Sequence, residues 1–219
     1  KSLAVRRTLA AADPSNAGWQ RDLSVSYDKL GEITVTSGKL DDARAWFEKS
    51  LVIRKNFASI DPSNTGWQRD LSTSYGKLGD VAVTAGKLDD ARTWFEHALV
   101  VCKTLTSADA SNAGWQRDLW VFYYKLGDVT VDAGKLDDGR AWFEQARAVA
   151  EGLASADPSN AVWQRDLAAS YTMLGDVAIT AGKLDDARTW FERALAVAKT
   201  LAAAASGNAA SQRNLAVCY

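Results

Sequence analysis

Apolar residues recur every three or four positions through the middle of the chain, a spacing typical of helices with one apolar side. In residues 63–86 the apolar positions are Trp67, Leu71, Tyr75, Leu78 and Val81 or Ala82. In residues 87–110 they are Leu88, Ala91, Phe95, Ala98 or Leu99, and Cys102. The sequence has no strand-like alternation of apolar and polar residues. The pattern therefore predicts two consecutive helices and an all-α fold.

Local signals mark the ends of these two helices. The Asp-Pro-Ser-Asn segment at 61–64 precedes the first one, because proline interrupts the preceding helix and the serine or asparagine can cap the next. Gly86 ends the first helix, since glycine accepts the positive φ angle found after a helix C-terminus. Asp89 and Asp90 then lie in the first turn of the second helix, where they complement its dipole.

The two-helix pattern occurs four times with a step of 48 residues. One tryptophan position recurs at Trp19, Trp67, Trp115 and Trp163, and a second at Trp46, Trp94, Trp142 and Trp190. The predicted repeats are residues 15–62, 63–110, 111–158 and 159–206. Residues 1–14 match the end of a preceding second helix, and residues 207–219 match the start of a further first helix. We therefore expect residues 1–219 to be a single repeat array excerpted from a longer one.

The repeat resembles the tetratricopeptide (TPR) motif, in which an aromatic-x2-Leu-Gly segment is followed by Ala-x3-Phe within about 34 residues. The matching residues are Tyr27, Leu30, Gly31, Ala43 and Phe47; Tyr75, Leu78, Gly79, Ala91 and Phe95; Tyr123, Leu126, Gly127 and Phe143; and Tyr171, Leu174, Gly175, Ala187 and Phe191. The departures are Gly139 in place of alanine, and Thr34, Ala82, Thr130 or Ala178 where the family has a second tyrosine. The resemblance implies a right-handed α-solenoid of antiparallel helix pairs.

The repeat is longer than a standard TPR by about 14 residues, which the sequence divides between the two helices. Residues 65–71 extend the first helix by about two turns, which rotates its apolar side by only about 20°. The proline that ends the second helix, Pro62, comes seven residues later than the family spacing requires, so the second helix is extended by the same length. Each helix is thus predicted to span about 20 residues, or about 30 Å. In this respect the chain is similar to the extended repeats of kinesin light chains.

Composition and charge exclude several classes of function. The 26 basic and 27 acidic side chains nearly cancel, which argues against a nucleic-acid or anionic-membrane surface. No run of about 18 apolar residues predicts a membrane span, and the lack of targeting signals favours a cytoplasmic location. Cys102 and Cys218 match no metal-binding spacing, so neither a zinc site nor a disulfide framework is expected.

The sequence offers no catalytic arrangement. His97 is the only histidine, and its position is occupied by Lys49, Gln145 and Arg193 in the other copies, which indicates a solvated surface. The paired aspartates complement helix dipoles, and Gly79, Gly86 and their copies are expected to be packing contacts and turns rather than a phosphate loop. We therefore expect a non-catalytic chain without a cofactor or a metal ion.

By resemblance to the family, partners bind in the concave groove lined by the first helices. The groove positions with acidic side chains are Asp28, Glu32, Asp80, Asp128, Asp132 and Asp176. Helical periodicity adds a row of arginines at Arg21, Arg69, Arg117 and Arg165. In one interpretation each arginine pairs with the Asp22-type carboxylate of the neighbouring copy and fixes the stacking register. In the other, the acidic and arginine rows bind an extended peptide with basic and acidic ends.

The third repeat differs from its siblings by a cluster of aromatic residues. Trp120 and Tyr124 lie four residues apart, on one side of the helix, and Tyr124 falls on a groove position. Binding energy concentrates in a few such residues, so these two are predicted to be a hot spot. The alternative is repacking, in which the methyl group missing at Gly139 makes room for Trp120 or Phe122. The second tryptophan series is expected to pack between repeats, or else to form an outer docking strip.

These observations predict a protein–protein interaction scaffold that binds a peptide, a partner protein or another domain of its own full-length chain. One alternative is an architectural spacer, or an array that associates end to end. The other is a sensor segment of a larger signalling protein or enzyme.

Overall fold

A computed structural model describes residues 3–204 of the chain, and all regular elements in that range are helices. They are α1 (Leu3–Ala12), α2 (Ala17–Thr36), α3 (Leu40–Ile60), α4 (Thr65–Thr84), α5 (Leu88–Ala108), α6 (Ala113–Asp132), α7 (Leu136–Ala156), α8 (Ala161–Thr180) and α9 (Leu184–Ala204). The predicted all-α fold is confirmed. The first helices of the four repeats have 20 residues and the second helices 21, as the long-helix prediction requires. Cys218 and the expected helix start at 207–219 lie outside the described residues.

The helix ends follow the predicted local signals. An asparagine caps each first helix, and the side chain of Asn64, for example, accepts a hydrogen bond from the backbone N–H of Trp67 at 3.1 Å. Gly86 ends α4 with a φ angle of +70°, and the three equivalent glycines also have positive φ. A residue with a β-carbon would be strained there, so the tight turn between paired helices depends on glycine.

The helices form two compact units, and their boundary lies close to the predicted border between the second and third repeats. Unit 1 is Lys1–Ala108 and contains α1–α5, whereas unit 2 is Asp109–Tyr219 and contains α6–α9. In unit 1, Ala43 and Phe47 of α3 share a core cluster with Leu78 and Val81 of α4. In unit 2, Phe143 of α7 packs with Leu174 and Val177 of α8. Within each unit, neighbouring repeats are therefore joined through a common core.

The TPR-like glycine and phenylalanine residues pack against each other within every repeat. A β-carbon on Gly79 would lie well inside van der Waals contact distance of the Phe95 ring, and the same holds for Gly31, Gly127 and Gly175 with their own phenylalanines. Phe95 is only 1% exposed. The glycine therefore lets the two helices of a pair approach closely enough to enclose the ring, which confirms its expected role as a packing contact.

The second tryptophan series packs between helices. Tyr75 stacks on Trp94 with ring centroids 5.9 Å apart, and the other three repeats have the same tyrosine–tryptophan pair. Trp94 also packs against the core cluster that repeats 1 and 2 share, and Trp190 packs against the one that repeats 3 and 4 share. The prediction of packing between repeats is confirmed for these two residues.

The space beside Gly139 is not used in the way the sequence suggested. A β-carbon at Gly139 would collide with the Cγ2 methyl group of Val131, rather than with Trp120 or Phe122. The missing methyl group at Gly139 is therefore compensated by a valine of the paired helix.

Candidate partner-binding surface

Two arginines of the row, Arg21 and Arg117, form ion pairs between neighbouring repeats. Within unit 1, Arg21 Nε donates to Asp70 Oδ2 at 2.7 Å, and within unit 2, Arg117 Nε donates to Asp166 Oδ2 at 2.7 Å. Asp70 and Asp166 are the predicted Asp22-type partners one repeat further along. The pairing interpretation is therefore confirmed for Arg21 and Arg117. Arg69 and Arg165 lie exposed on α4 and α8.

Asp28 does not line a groove, although resemblance to the family implied a groove position for it. Its side chain is 5% exposed and its Oδ2 accepts a hydrogen bond from Nη2 of Arg54 at 2.7 Å. Arg54 is itself 3% exposed and also donates to Ser24 Oγ, Ser74 Oγ and the carbonyl of Asp70. The expectation of a partner-facing Asp28 is thus corrected, because a buried arginine from α3 draws the carboxylate inwards.

We use the term first-helix face for the surface that α2 and α4 form in unit 1, and that α6 and α8 form in unit 2. In unit 1 its acidic side chains are compensated by lysines. Glu32 accepts hydrogen bonds from Lys29 at 2.7 Å and from Lys77, and these bonds lower the pKa of Glu32. Lys77 lies on α4, so it joins two repeats, and with Glu32 and the exposed Asp80 it lines a cleft of about 360 Å³.

In unit 2 the acidic side chains of this face are compensated less. Asp128 is exposed on this face, but the residues around it partly desolvate its carboxylate and raise its pKa; the neighbouring charge of Asp132 raises it further, and Lys125 opposes the shift. Burial also raises the pKa of Asp176. The residue equivalent to Lys77, two 48-residue steps later on α8, is Met173. Met173 packs against the cluster of Phe143, so an uncharged side chain takes the place of the bridging lysine.

Trp120 and Tyr124 have different environments. Trp120 is 8% exposed, and its Nε1 donates to Ser170 Oγ at 2.9 Å, so it joins α6 to α8 instead of facing a partner. Tyr124 is half-buried, with its ring 5.4 Å from that of Trp120 and 5.8 Å from that of Phe143. Burial, followed by the charges of Asp128 and Asp176, raises the pKa of Tyr124. Of the two predicted anchors, only Tyr124 lies beside the acidic side chains.

None of the helices in residues 3–204 is long and apolar enough to cross a membrane. Over the same range, the His, Cys, Asp and Glu side chains form no group that could hold a metal ion.

Comparison with known proteins agrees with the geometry of the helix pairs. Residues 71–109 and 167–202 match the family model of the tetratricopeptide repeat. These two stretches, in repeats 2 and 4, are TPR-type repeats. Both matched stretches begin at a leucine of the first helix, Leu71 or Leu167, so the tryptophan four residues earlier lies in the N-terminal extension that distinguishes these TPR-type repeats. No curated protein matches the chain in sequence.

Solved structures share the TPR-type fold at low sequence identity. BtubC (BKLC) from P. vanneervenii is 17% identical over 99% of this chain and 84% of its own, with a TM-score of 0.67. A putative kinesin light chain of Podospora anserina with nearly identical TPR-like repeats is 18% identical over 89% of this chain and 84% of its own, with a TM-score of 0.62. MamA is 19% identical over 92% of this chain and 89% of its own, with a TM-score of 0.55. At these identities the likeness is one of fold.

Two features of this surface were absent from the motif-based prediction, and both concern differences between TPR-type copies. The first is the buried pair of Asp28 and Arg54, whose counterparts in the next repeat are Gly76 and Cys102. The second is the exchange of Lys77 for Met173. A comparison of the copies for positions that change together would have indicated the first, because both charges disappear in the same repeat.

Proposed function

We propose that the chain is a non-catalytic protein–protein interaction scaffold, and that its first-helix face binds an extended segment of a partner protein. The TPR-type repeat, a fold that generally serves protein interaction, supports the general role. The finer proposal concerns unit 2, where lysine or arginine side chains of the partner would lie against Asp128, Asp132 and Asp176.

One observation carries the finer proposal, namely the exchange of the bridging Lys77 for Met173. A raised pKa means that the protein stabilises the charged form of Asp128 less well than water does, so a cation supplied by a partner would restore part of that stabilisation. Tyr124 and Met173 add a polarisable surface on which the aliphatic part of a lysine or arginine side chain can pack.

The arginine row is assigned a structural role in this proposal. Arg21 and Arg117 each use Nε and Nη2 to bind one aspartate, so a ligand carboxylate would have to compete with an existing bidentate pair. A partner with basic side chains therefore fits the surface better than a bipolar peptide.

The proposal is tested by fluorescence anisotropy with the full chain and two labelled peptides of equal length, one rich in lysine and arginine and the other rich in aspartate and glutamate. We expect the basic peptide to bind and its affinity to fall as salt concentration rises, because exposed charge pairs are screened. Equal binding of both peptides, or binding that salt does not affect, would refute the assignment of a basic partner.

Met173→Lys is expected to weaken binding of the basic peptide by about 1 kcal/mol at low salt, which is roughly fivefold. The new ammonium group would occupy the place that Lys77 has in unit 1 and compete with the peptide for Asp128. It would also lower the pKa of Asp128, which a carboxyl NMR titration can follow. Met173→Leu is the control and should leave both quantities unchanged. An unchanged affinity in Met173→Lys, together with a lowered pKa, would place the peptide elsewhere.

Tyr124→Ala is expected to weaken the same complex by at least about 1 kcal/mol while the far-ultraviolet circular dichroism stays unchanged. The ring lies between Trp120 and Phe143 and is only half-buried, which leaves one side for a partner. Tyr124→Phe is the matched control, since it keeps the ring and removes the hydroxyl. If the Tyr124→Ala and Tyr124→Phe variants both bind the peptide as tightly as the parent chain, Tyr124 is not an anchor.

A further inference from the structure

Unit 2 contains a cleft that shares no residue with the acidic part of the first-helix face. It is a cleft of about 640 Å³ bounded by α6, α7 and the beginning of α8, a size typical of ligand and side-chain sites. Tyr123 and Trp163 provide aromatic walls, and Leu119, Val149 and Leu153 provide aliphatic ones. Every lining residue is uncharged. We call this feature the repeat-3 cleft.

The equivalent region of repeat 1 is filled by a phenylalanine of the chain itself. Phe57 on α3 stacks on Trp67, which begins the next repeat, with ring centroids 4.7 Å apart and planes inclined by 20°. Trp67 corresponds to Trp163, and Phe57 corresponds to Leu153, two steps of 48 residues later. In repeat 3 the smaller Leu153 therefore occupies the position of a buried aromatic ring.

Other side chains on α7 are also smaller than their counterparts in repeat 1. Asn56 of repeat 1 is replaced by Gly152, Val52 by Ala148 and Ile60 by Ala156. A β-carbon built on Gly152 would meet no atom within 4 Å, so the space beside the α7 backbone is open. On this side of α7 the side chains are thus smaller than those of repeat 1, opposite an indole ring that both repeats have.

We propose that the repeat-3 cleft binds an aromatic side chain, phenylalanine or tryptophan, carried by an exposed segment of a partner protein. Repeat 1 provides the argument for this occupant, because it places a phenyl ring on the equivalent tryptophan. Such an offset-stacked pair is more favourable than contact area alone would give. The lack of charge in the lining disfavours lysine, arginine and acidic side chains, since each would lose hydration there without gaining a partner.

Polar groups at the edge of the cleft suit a peptide segment rather than an isolated hydrocarbon. Gln145 is exposed on α7, and Gln116 on α6 donates through Nε2 to the carbonyl of Ala110 at 3.2 Å, with both glutamines among the lining residues. Amide side chains beside an apolar pocket can hydrogen-bond the backbone that carries the inserted ring.

The test uses the full chain labelled with ¹⁵N and three peptides that consist of glycine and serine with one central phenylalanine, leucine or lysine. We expect the phenylalanine peptide to shift the backbone amide signal of Gly152 and the indole signal of Trp163, with an affinity at least fivefold above that of the leucine peptide. The proposal would be overturned if neither signal shifted, or if the leucine or lysine peptide bound as tightly as the phenylalanine peptide.

Gly152→Asn combined with Leu153→Phe restores the residues of repeat 1 and fills the cleft from within. This variant is expected to bind the phenylalanine peptide at least tenfold more weakly. It is also expected to remain folded, because repeat 1 already holds the same residue types against the equivalent tryptophan. Undiminished binding would overturn the proposal. Met173→Lys is the matched control on the other surface and should leave this peptide's affinity unchanged. Signals of Gly152 and Trp163 that depend on protein concentration without peptide would instead assign the cleft to a second copy of the chain.

Discussion

Replacing Arg54 with alanine is expected to lower the free energy of unfolding by about 3–5 kcal/mol. The guanidinium group bonds to the buried Asp28 and to Ser24, Ser74 and the carbonyl of Asp70. Its removal leaves a carboxylate that is 5% exposed without its closest partner, and Oδ1 of that carboxylate already has no hydrogen bond. Denaturation by urea, followed by circular dichroism, measures the loss.

Two further variants separate the buried charge from the lost packing. Arg54→Ala combined with Asp28→Thr reproduces the pair that repeat 4 has at Thr172 and Ala198, and it should recover at least half of the lost stability. Arg21→Ala removes an exposed ion pair to Asp70 and should cost only about 0–1 kcal/mol. If the double variant is as unstable as Arg54→Ala alone, the unpaired carboxylate is not the cause.

Phe95→Ala is the second substitution with a large expected effect, a loss of about 3–5 kcal/mol in the free energy of unfolding. The ring is 1% exposed and lies against the backbone of Gly79, so its removal leaves a cavity that the two helices cannot close without moving. The same denaturation experiment measures the loss. A cost below about 1 kcal/mol would mean that the helix pair closes around the missing ring.

The contact between the ring and the glycine predicts a reversal of sign in a double-mutant cycle. With Phe95 present, Gly79→Ala should destabilise the chain, because the new methyl group overlaps the ring. In the Phe95→Ala background the same substitution should stabilise it by up to about 1 kcal/mol, through the higher helix propensity of alanine. Gly152→Ala, where the methyl group would meet open space, should stabilise the parent chain by a similar amount. Additive effects of Gly79→Ala and Phe95→Ala on the free energy of unfolding would refute the proposed contact.

Most of the fold could be predicted from the sequence because its determinants are local and repeated. The apolar spacing around Trp67, Leu71 and Tyr75 specifies the helix and its buried side, and Gly86 specifies the turn that follows. Each signal occurs in four copies, which makes an accidental pattern easy to distinguish from a structural one. The pairing of Arg21 with Asp70 could also be foreseen, since it follows directly from the stacking of identical repeats.

The environment of individual polar residues was harder to predict. Resemblance to the family assigns Asp28 to the groove side of α2, and this assignment holds unless a distant residue offers a buried partner, as Arg54 does from 26 positions away. Trp120 was assigned to the binding surface for its residue type, but its burial depends on Ser170, an indole acceptor 50 positions away on another helix. In both cases the deciding contact lies outside the repeat motif.

The ion pair between Arg21 and Asp70 has a consequence for how such a chain can change in length. The two residues are 49 positions apart, one repeat plus one residue, and Arg117 and Asp166 have the same separation. Within each unit, the arginine of one repeat therefore pairs with the aspartate of the copy after it. Duplication or deletion of a 48-residue block within the array creates a junction that is already matched in charge. Recombination between the copies can thus alter their number while this ion pair is retained at the new junction.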